Sequence, residues 1–146
     1  MWHEITNCNE AESFMEKVAF FHDSCIKEIK YISGSYVNNN LDMYPINDQR
    51  KVSFLIQRQY DSLSMIELEF IGVKYFYLKP TTPGFSSEIF DATLIVNNNF
   101  VFWCDDGNVL ENNIDKYDGT KIFASNVRWR SIEGFMQKED FYVSKE

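Results

Sequence analysis

The feature that most constrains this chain is a two-residue alternation of apolar and polar side chains, which sets in after Cys25 and recurs along the sequence. Apolar residues occupy alternate positions of segment 51–60, and Glu67 and Glu69 separate the apolar residues of segment 66–70. Successive side chains of a β-strand point to opposite faces, so this pattern predicts strands with one buried face. The sequence therefore predicts a sheet with one face buried in a core.

The same reasoning predicts further strands, bounded by Gly, Pro and Asn residues: 27–37, 73–78, 89–96, 100–104 and 122–132. Asn97-Asn98-Asn99 separates two of them as the turn of a hairpin. On the last strand, we expect Phe123, Val127 and Trp129 to face inward. Short connections favour antiparallel neighbours.

The segments between these strands carry turn and loop signals. Gly34 predicts a bulge or bend, and Ile71-Gly72 predicts a turn or bulge. Segments 41–50 and 105–119 have loop composition. The tail from Glu133 is either a short helix or frayed.

One helix is predicted before the first strand. Asn9 is a capping residue with Glu12 three positions later, and Ala11, Phe14 and Met15 follow at helical spacing. We expect a helix over residues 10–19. The fold class is therefore mainly β, or α+β by strict count. An N-terminal helix precedes about seven mostly antiparallel strands in a curled sheet, a sandwich or a partial barrel, all in one domain spanning residues 1–146.

Composition narrows the functional classes. The 146 residues carry a net charge of −8, which argues against nucleic acid or an anionic membrane as the main partner. Cys8, Cys25 and Cys104 are widely spaced without a CxxC pair, so we expect reduced thiols in a cytoplasm. The start of the chain lacks the pattern of a signal peptide, and no apolar run is long enough for a membrane span.

The sequence His22-Asp23-Ser24-Cys25 brings together residue types used in nucleophilic catalysis. Neighbours on a strand point to opposite faces, however, and no oxyanion-hole motif accompanies them. We favour local backbone bonding by Asp23 or Ser24, with His22 packed nearby, and assign no catalytic residue.

Two charged groups are candidate binding sites. Asp105, Asp106, Glu111, Asp115 and Asp118 form an acidic stretch that lacks the spacing of a calcium loop. It is either a solvated surface or a docking face for a basic protein. Arg128 and Arg130 share one face of a strand, and either grip a carboxylate or phosphate or pair with Glu67 and Glu69, which we favour.

No cofactor or metal is indicated. The sequence contains no GxGxxG, GxxxxGK[ST] or GxSxG motif, and its two His and three Cys form no ligand pair at helical spacing. A site built from distant positions is left open.

Several blocks together resemble a group of small bacterial proteins of uncharacterised function that share an F-H-D-S-x-I sequence at the entrance to a strand-rich domain: Phe21–Ile26, Ser33–Val37, Glu88–Thr93, Trp103–Asp105 and Val127–Arg130. The F-H-D opening is also similar to that of immunity proteins from bacterial polymorphic toxin systems. The resemblance implies a bacterial binding protein, and it brings no catalytic residues.

Three functional hypotheses follow. The first is a non-enzymatic, cytoplasmic binder of the immunity type, which blocks a basic partner such as a toxin through the acidic stretch and exposed aromatic residues. The second is an enzyme or small-ligand binder whose aromatic-lined pocket uses His22, Asp23, Arg128 and Arg130. The third is an oligomer formed through an exposed strand edge. Neither the oligomeric state nor the identity of a partner follows from the sequence.

Overall fold

The computed structural model describes residues 1–139. Within them, the helix α1 (Cys8–Lys17) is capped by Asn7, whose side-chain oxygen accepts a hydrogen bond from the Glu10 amide at 2.9 Å. The predicted helix exists, but its predicted start after Asn9 and its end at residue 19 are wrong. The chain leaves α1 at Val18 and enters a short 3-10 turn, Ala19–Phe21.

The described residues form eleven strands: β1 (His3–Ile5), β2 (Ser24–Ile32), β3 (Tyr36–Val37), β4 (Met43–Tyr44), β5 (Lys51–Arg58), β6 (Met65–Ile71), β7 (Tyr75–Tyr77), β8 (Thr93–Val96), β9 (Val101–Cys104), β10 (Lys121–Ala124) and β11 (Asn126–Ser131). They pair antiparallel in a five-stranded sheet of order β1-β11-β6-β5-β2, a four-stranded sheet of order β7-β10-β9-β8, and the separate hairpin β3-β4. The prediction of a mainly β fold with an N-terminal helix is confirmed, and in residues 1–139 neither large sheet closes into a barrel.

Residues that alternate along β5 and β6 place the core between the sheets. Phe54 and Leu68 are fully buried, and Phe54 packs edge-on against Trp103 of β9 at 5.2 Å between ring centroids. Phe14 and Met15 of α1 complete the same core. Burying large aromatic side chains in one shared cluster joins α1 and the two sheets.

A smaller apolar cluster lies on the other face of the four-stranded sheet. It contains Phe102, Cys104 and Ile114, the last from a 3-10 helix, Glu111–Lys116. Segment 105–119 was expected to be a loop throughout, so this helix corrects that prediction.

The predicted strand 122–132 is two strands in different sheets. The chain breaks at Ser125, whose amide donates to the carbonyls of Ile71 and Gly72. Ile122 of β10 enters the main core, whereas Phe123 lies half-buried on the opposite face. The expected inward position of Phe123 is therefore wrong, while those of Val127 and Trp129, both on β11, are confirmed.

Other boundaries also differ from the prediction. The strand expected over 27–37 is β2 followed by β3, and β4 pairs with β3 inside the expected loop 41–50. Of the strand expected over 89–96, only the part from Thr93 to Val96 forms, as β8. Ile89 makes just an isolated bridge to Ser24. The hairpin at Asn97–Asn99 and the turn at Gly72 are confirmed.

Residues 133–139 form no helix or strand, and the rest of the predicted tail lies outside the described residues. None of the helices in residues 1–139 combines the length and the apolar composition that crossing a bilayer requires.

Candidate functional site: polar clusters and exposed apolar surfaces

The chain turns tightly between α1 and β2. Ala19, Phe20 and Phe21 all have left-handed backbone angles, with φ of 51°, 54° and 59°. This conformation is costly for residues other than Gly, Asn and Asp. Complete burial of Phe21 offsets the cost, because the turn delivers its ring to the core.

His22 follows this turn with its imidazole at the surface. Its Nδ1 lies 2.6 Å from the carbonyl oxygen of Phe90, and its Nε2 lies 3.5 Å from Oδ1 of Asp23. The Phe90 carbonyl, and secondarily the charge of Asp23, raise the pKa of His22 above its ordinary value. Both neighbours favour the protonated, donating imidazole.

Backbone carbonyl groups of the same stretch of chain also bind segment 89–92. The Ser24 carbonyl accepts the amide of Ile89, and the Phe20 carbonyl accepts the amide of Ala92, both at 2.8 Å. With the imidazole contact, these bonds attach the long connection before β8 to the start of β2.

No nucleophile–base pair is formed here within the described part of the chain. The Ser24 hydroxyl donates to the backbone oxygen of His22 at 3.3 Å, and neither that hydroxyl nor the Cys25 thiol contacts the imidazole. Burial raises the pKa of the Cys104 thiol to about 11, which keeps it protonated at neutral pH.

Arg128 and Arg130 lie on the outer face of the five-stranded sheet, opposite two acids of β6. Arg128 Nη2 is 2.6 Å from Glu69 Oε1, and Arg130 Nη2 is 2.6 Å from Glu67 Oε2. The predicted pairing with Glu67 and Glu69 is confirmed. The ring of Trp2 covers both guanidinium groups, with its centroid 4.3 and 4.4 Å from their carbon atoms.

The structure does not bring the four residues of the predicted pocket together. His22 and Asp23 lie at the entrance to β2, and Arg128 and Arg130 lie on β11, with β5 and β6 between. Three strand spacings separate the two pairs by roughly 14 Å.

A groove of about 360 Å³ crosses the outer face of the same sheet. Arg130 and Glu67 line it together with Ser53 and Leu55 of β5, and Phe135 closes one side. None of His22, Asp23 and Arg128 lines this groove. Among residues 1–139, no three His, Cys, Asp or Glu side chains are grouped to hold a metal ion.

The five residues of the predicted acidic surface divide into two groups. Asp105 is half-buried and accepts a hydrogen bond from the hydroxyl of Tyr117. Asp118 pairs with Lys79 at 2.9 Å, and that ammonium group lowers the pKa of Asp118. Tyr117 ties Asp105 to the fold, whereas Asp118 is 91% exposed and forms a surface ion pair.

The other three acids, Asp106, Glu111 and Asp115, are exposed. Glu111 accepts a hydrogen bond from the side chain of Asn97 at 3.3 Å. These acids lie around the 3-10 helix, whose final carbonyl groups, including that of Ile114, accept hydrogen bonds from the buried ammonium group of Lys121. The surface around this 3-10 helix therefore presents the three carboxylates to solvent.

A group of exposed apolar side chains lies elsewhere, on residues 36–46, which we call the hairpin arm. It contains β3, β4 and the turn between them. Six large apolar side chains on it are exposed: Tyr36, Val37, Leu41, Met43, Tyr44 and Ile46. Leu41, Met43 and Ile46 have exposed fractions of 83%, 69% and 62%. Concentrated exposure of this kind is typical of interaction surfaces.

Local contacts hold the hairpin arm in shape. The rings of Tyr36 and Tyr44 stack across the strand pair at 5.0 Å. The side-chain oxygen of Asn38 accepts the amides of Asn40 and Asp42 and closes the turn. The arm therefore presents its apolar side chains from a folded hairpin.

Sequence reasoning missed the hairpin arm and the Trp2 cover. Segment 41–50 was assigned to a loop because it contains Pro45 and several polar residues. The signal was present: the Asn38-Asn39-Asn40 turn has β-prone residues on both sides. Trp2 reaches the arginines because β1 pairs with β11. A strand of three residues is too short to be predicted from the sequence pattern.

Comparisons with protein-family models, curated proteins and solved structures find no match for this chain. The resemblance to bacterial F-H-D-S-x-I proteins and to immunity proteins therefore stays a prediction.

Proposed function

We propose that this protein is a non-enzymatic binder of another protein, of the immunity type, which blocks its partner by covering it. The hairpin arm carries the proposal, because it holds six large apolar side chains in solvent on a folded hairpin. Apolar and aromatic anchors dominate the energetics of protein interfaces. We place the complex in a bacterial cytoplasm, where free thiols such as those of Cys8 and Cys25 persist.

A basic partner is the best match for the charge of the chain. The net charge is −8, and Asp106, Glu111 and Asp115 add exposed carboxylates. Opposite charge raises the rate of association more than it raises affinity. The apolar arm would supply affinity, and the acidic surface would steer the encounter.

The test is capture from the native host, followed by binding of the purified partner. The variant Leu41→Ser/Met43→Ser removes two apolar anchors from the arm. The control variant Leu78→Ser/Phe85→Ser removes two equally apolar, exposed residues from a different loop. We expect one protein to be retained by the wild type and the control, and its affinity for the arm variant to fall about 30-fold or more.

A partner that binds all three proteins equally, or no specific partner at all, would contradict the proposal. A second variant, Asp106→Asn/Glu111→Gln/Asp115→Asn, tests the charge. We expect it to slow association and to weaken the dependence of the rate on salt, with little change in the dissociation rate.

Small-ligand binding in the outer-face groove is a second candidate function, favoured by a volume of about 360 Å³, within the usual range for ligand sites. A carboxylate-bearing ligand would compete with Glu67 for Arg130. Titration with small carboxylates, followed by amide chemical shifts, would support this function if the changes centre on Ser53, Leu55 and Arg130. Unchanged shifts at these positions would remove it.

A further inference from the structure

Strand β2 is the longest strand in residues 1–139 and forms one edge of the five-stranded sheet. The Arg58 amide donates to the carbonyl of Ser64, on the β6 side of β5. Backbone groups alternate between the two sides of a strand, so those of the even-numbered residues of β5 point toward β6. The odd-numbered residues of β5, among them Ser53 and Leu55, therefore face β2.

This parity fixes which residues of β2 point their backbone groups away from the sheet. Glu28 and Lys30 lie opposite Leu55 and Ser53, so their amides and carbonyls engage β5. The backbone groups of Ile29 therefore point outward, together with those of Tyr31. Within residues 1–139, these outward groups have no hydrogen-bond partner.

A bulge limits the usable edge to its second half. The register between β2 and β5 shifts between Ile26 and Glu28, which leaves Lys27 as the extra residue. At the first end, the Ser24 carbonyl is already occupied by the amide of Ile89. The regular open edge therefore begins after the bulge, at Glu28, and runs to Ile32.

The order of charges along this edge is self-complementary. Antiparallel pairing with a second copy requires outward residues to meet outward residues. When Ile29 meets the second copy's Ile29, Glu28 lies opposite the second copy's Lys30, and Lys30 lies opposite its Glu28. A shift of two residues would instead place Lys30 opposite the second copy's Lys30, and directly opposed like charges are destabilising.

We propose that two copies of this chain associate through antiparallel pairing of their β2 edges, around a twofold axis at Ile29. The two five-stranded sheets then become continuous. Glu28 and Lys30 also have interactions within their own chain, so the second copy adds a cross-strand neighbour to each.

The dimer is expected to be weak, because one strand pair buries less surface than a standard interface. Sedimentation velocity at protein concentrations up to about 1 mM therefore covers the range in which it forms. The inference does not depend on the proposed partner-binding function, since it uses a different surface.

Charge exchange provides the test. Glu28→Lys and Lys30→Glu each convert two symmetry-related attractions into repulsions, and we expect each to weaken dimerisation about tenfold or more. The double variant Glu28→Lys/Lys30→Glu restores opposite charges, and we expect its dimerisation constant to return to within about threefold of the wild type. Glu12→Lys, the same charge change on the exposed face of α1, is the control and leaves association unchanged.

Amide hydrogen exchange gives an independent readout that does not rely on the variants. Exchange at Ile29 and Tyr31 slows as the concentration of the wild type rises, whereas exchange at Lys30, already bonded to β5, does not. A monomer at every concentration would overturn the proposal. So would a dimer insensitive to the single variants, or a double variant as weak as they are.

Discussion

The pair of Glu69 and Arg128 is the most buried ion pair among the described residues. The side chains are 8% and 26% exposed, and Arg128 donates to Glu69 Oε1 from both Nε and Nη2. A forked contact of this kind gives direction as well as charge. The acid on β6 and the base on β11 thus fix the register of two central strands on their outer face.

Removing one member of this pair should be costly, because the other charge stays partly buried. We expect Glu69→Ala to lower the free energy of unfolding by about 2–4 kcal/mol in urea denaturation. Glu4→Ala is the control, since Glu4 is exposed and lies 3.9 Å from Arg128; its effect should stay below about 0.5 kcal/mol. Equal effects of the two substitutions would show that the buried pair contributes nothing special.

His22 makes part of the stability dependent on pH. Its pKa is raised in the folded protein from 6.5, first by the Phe90 carbonyl and then by Asp23. A raised folded pKa means that the contribution is complete below the unfolded pKa and is lost as the pH rises through the folded one. His22→Asn keeps a donor near Phe90 but does not titrate.

We therefore expect the stability difference between the wild type and His22→Asn to shrink as the pH rises from about 6 to about 8. Urea denaturation at a series of pH values measures the difference, and an NMR titration of the imidazole locates the pKa. A titration midpoint at or below 6.5, or a difference that grows with pH, would refute the assignment.

At the scale of elements, the start of α1 shows where sequence patterns stop discriminating. Asn7 and Asn9 are each followed three residues later by a glutamate, so both fit a capping pattern. The structure selects Asn7, and Glu10 turns back to accept the amide and hydroxyl of Thr6. Burial of the apolar face decides between two locally similar starts.

This choice can be checked with a pair of matched substitutions. Asn7→Ala removes the cap and should lower the free energy of unfolding by about 1 kcal/mol. Asn9→Ala, inside the first turn of α1 and exposed, should change it little, because Ala is the better helix former. Thermal or urea unfolding measures both, and a larger loss for Asn9→Ala would place the cap where the sequence suggested.

The strands show the same limit for a different reason. Alternation identified β5 and β6 because each has one face in the core over seven or more residues. Alternation gave the wrong answer at Ser125. The buried positions are even-numbered before this break, at Ile122 and Ala124, and odd-numbered after it, at Val127. The phase shifts by one residue as the chain changes sheet, so an unbroken strand puts Phe123 on the wrong face.

The candidate sites follow from the sequence only where cross-strand partners carry opposite charge. Arg128 and Arg130 could be matched to Glu69 and Glu67, because alternating acids and bases on long strands leave few other arrangements. The hairpin arm was not found, since two-residue strands are too short to show a period. Its apolar side chains are exposed, so no alternation of buried and exposed positions marks its strands.

At the scale of the whole molecule, the central aromatic cluster ties the two sheets to each other. Trp103 of β9 contacts Phe54 of β5 at 5.2 Å and Phe21 at 6.3 Å, all three fully buried. Trp129 lies in the same core, on the five-stranded sheet, against Phe14 at 5.0 Å. Neither sheet can separate without exposing this cluster to water.

The two sheets should therefore unfold in one cooperative transition, as expected of a single domain. Trp103 reports on the four-stranded sheet and Trp129 on the five-stranded sheet, and ¹⁹F NMR of the fluorotryptophan-labelled protein resolves them. We expect both native signals to disappear at the same urea concentration. Phe54→Leu keeps both tryptophan probes and should lower both midpoints together, because Phe54 of β5 packs against Trp103 of β9 and the cavity belongs to both sheets. If the Trp103 signal is lost while that of Trp129 persists, the four-stranded sheet is a separate folding unit and the shared core does not couple them.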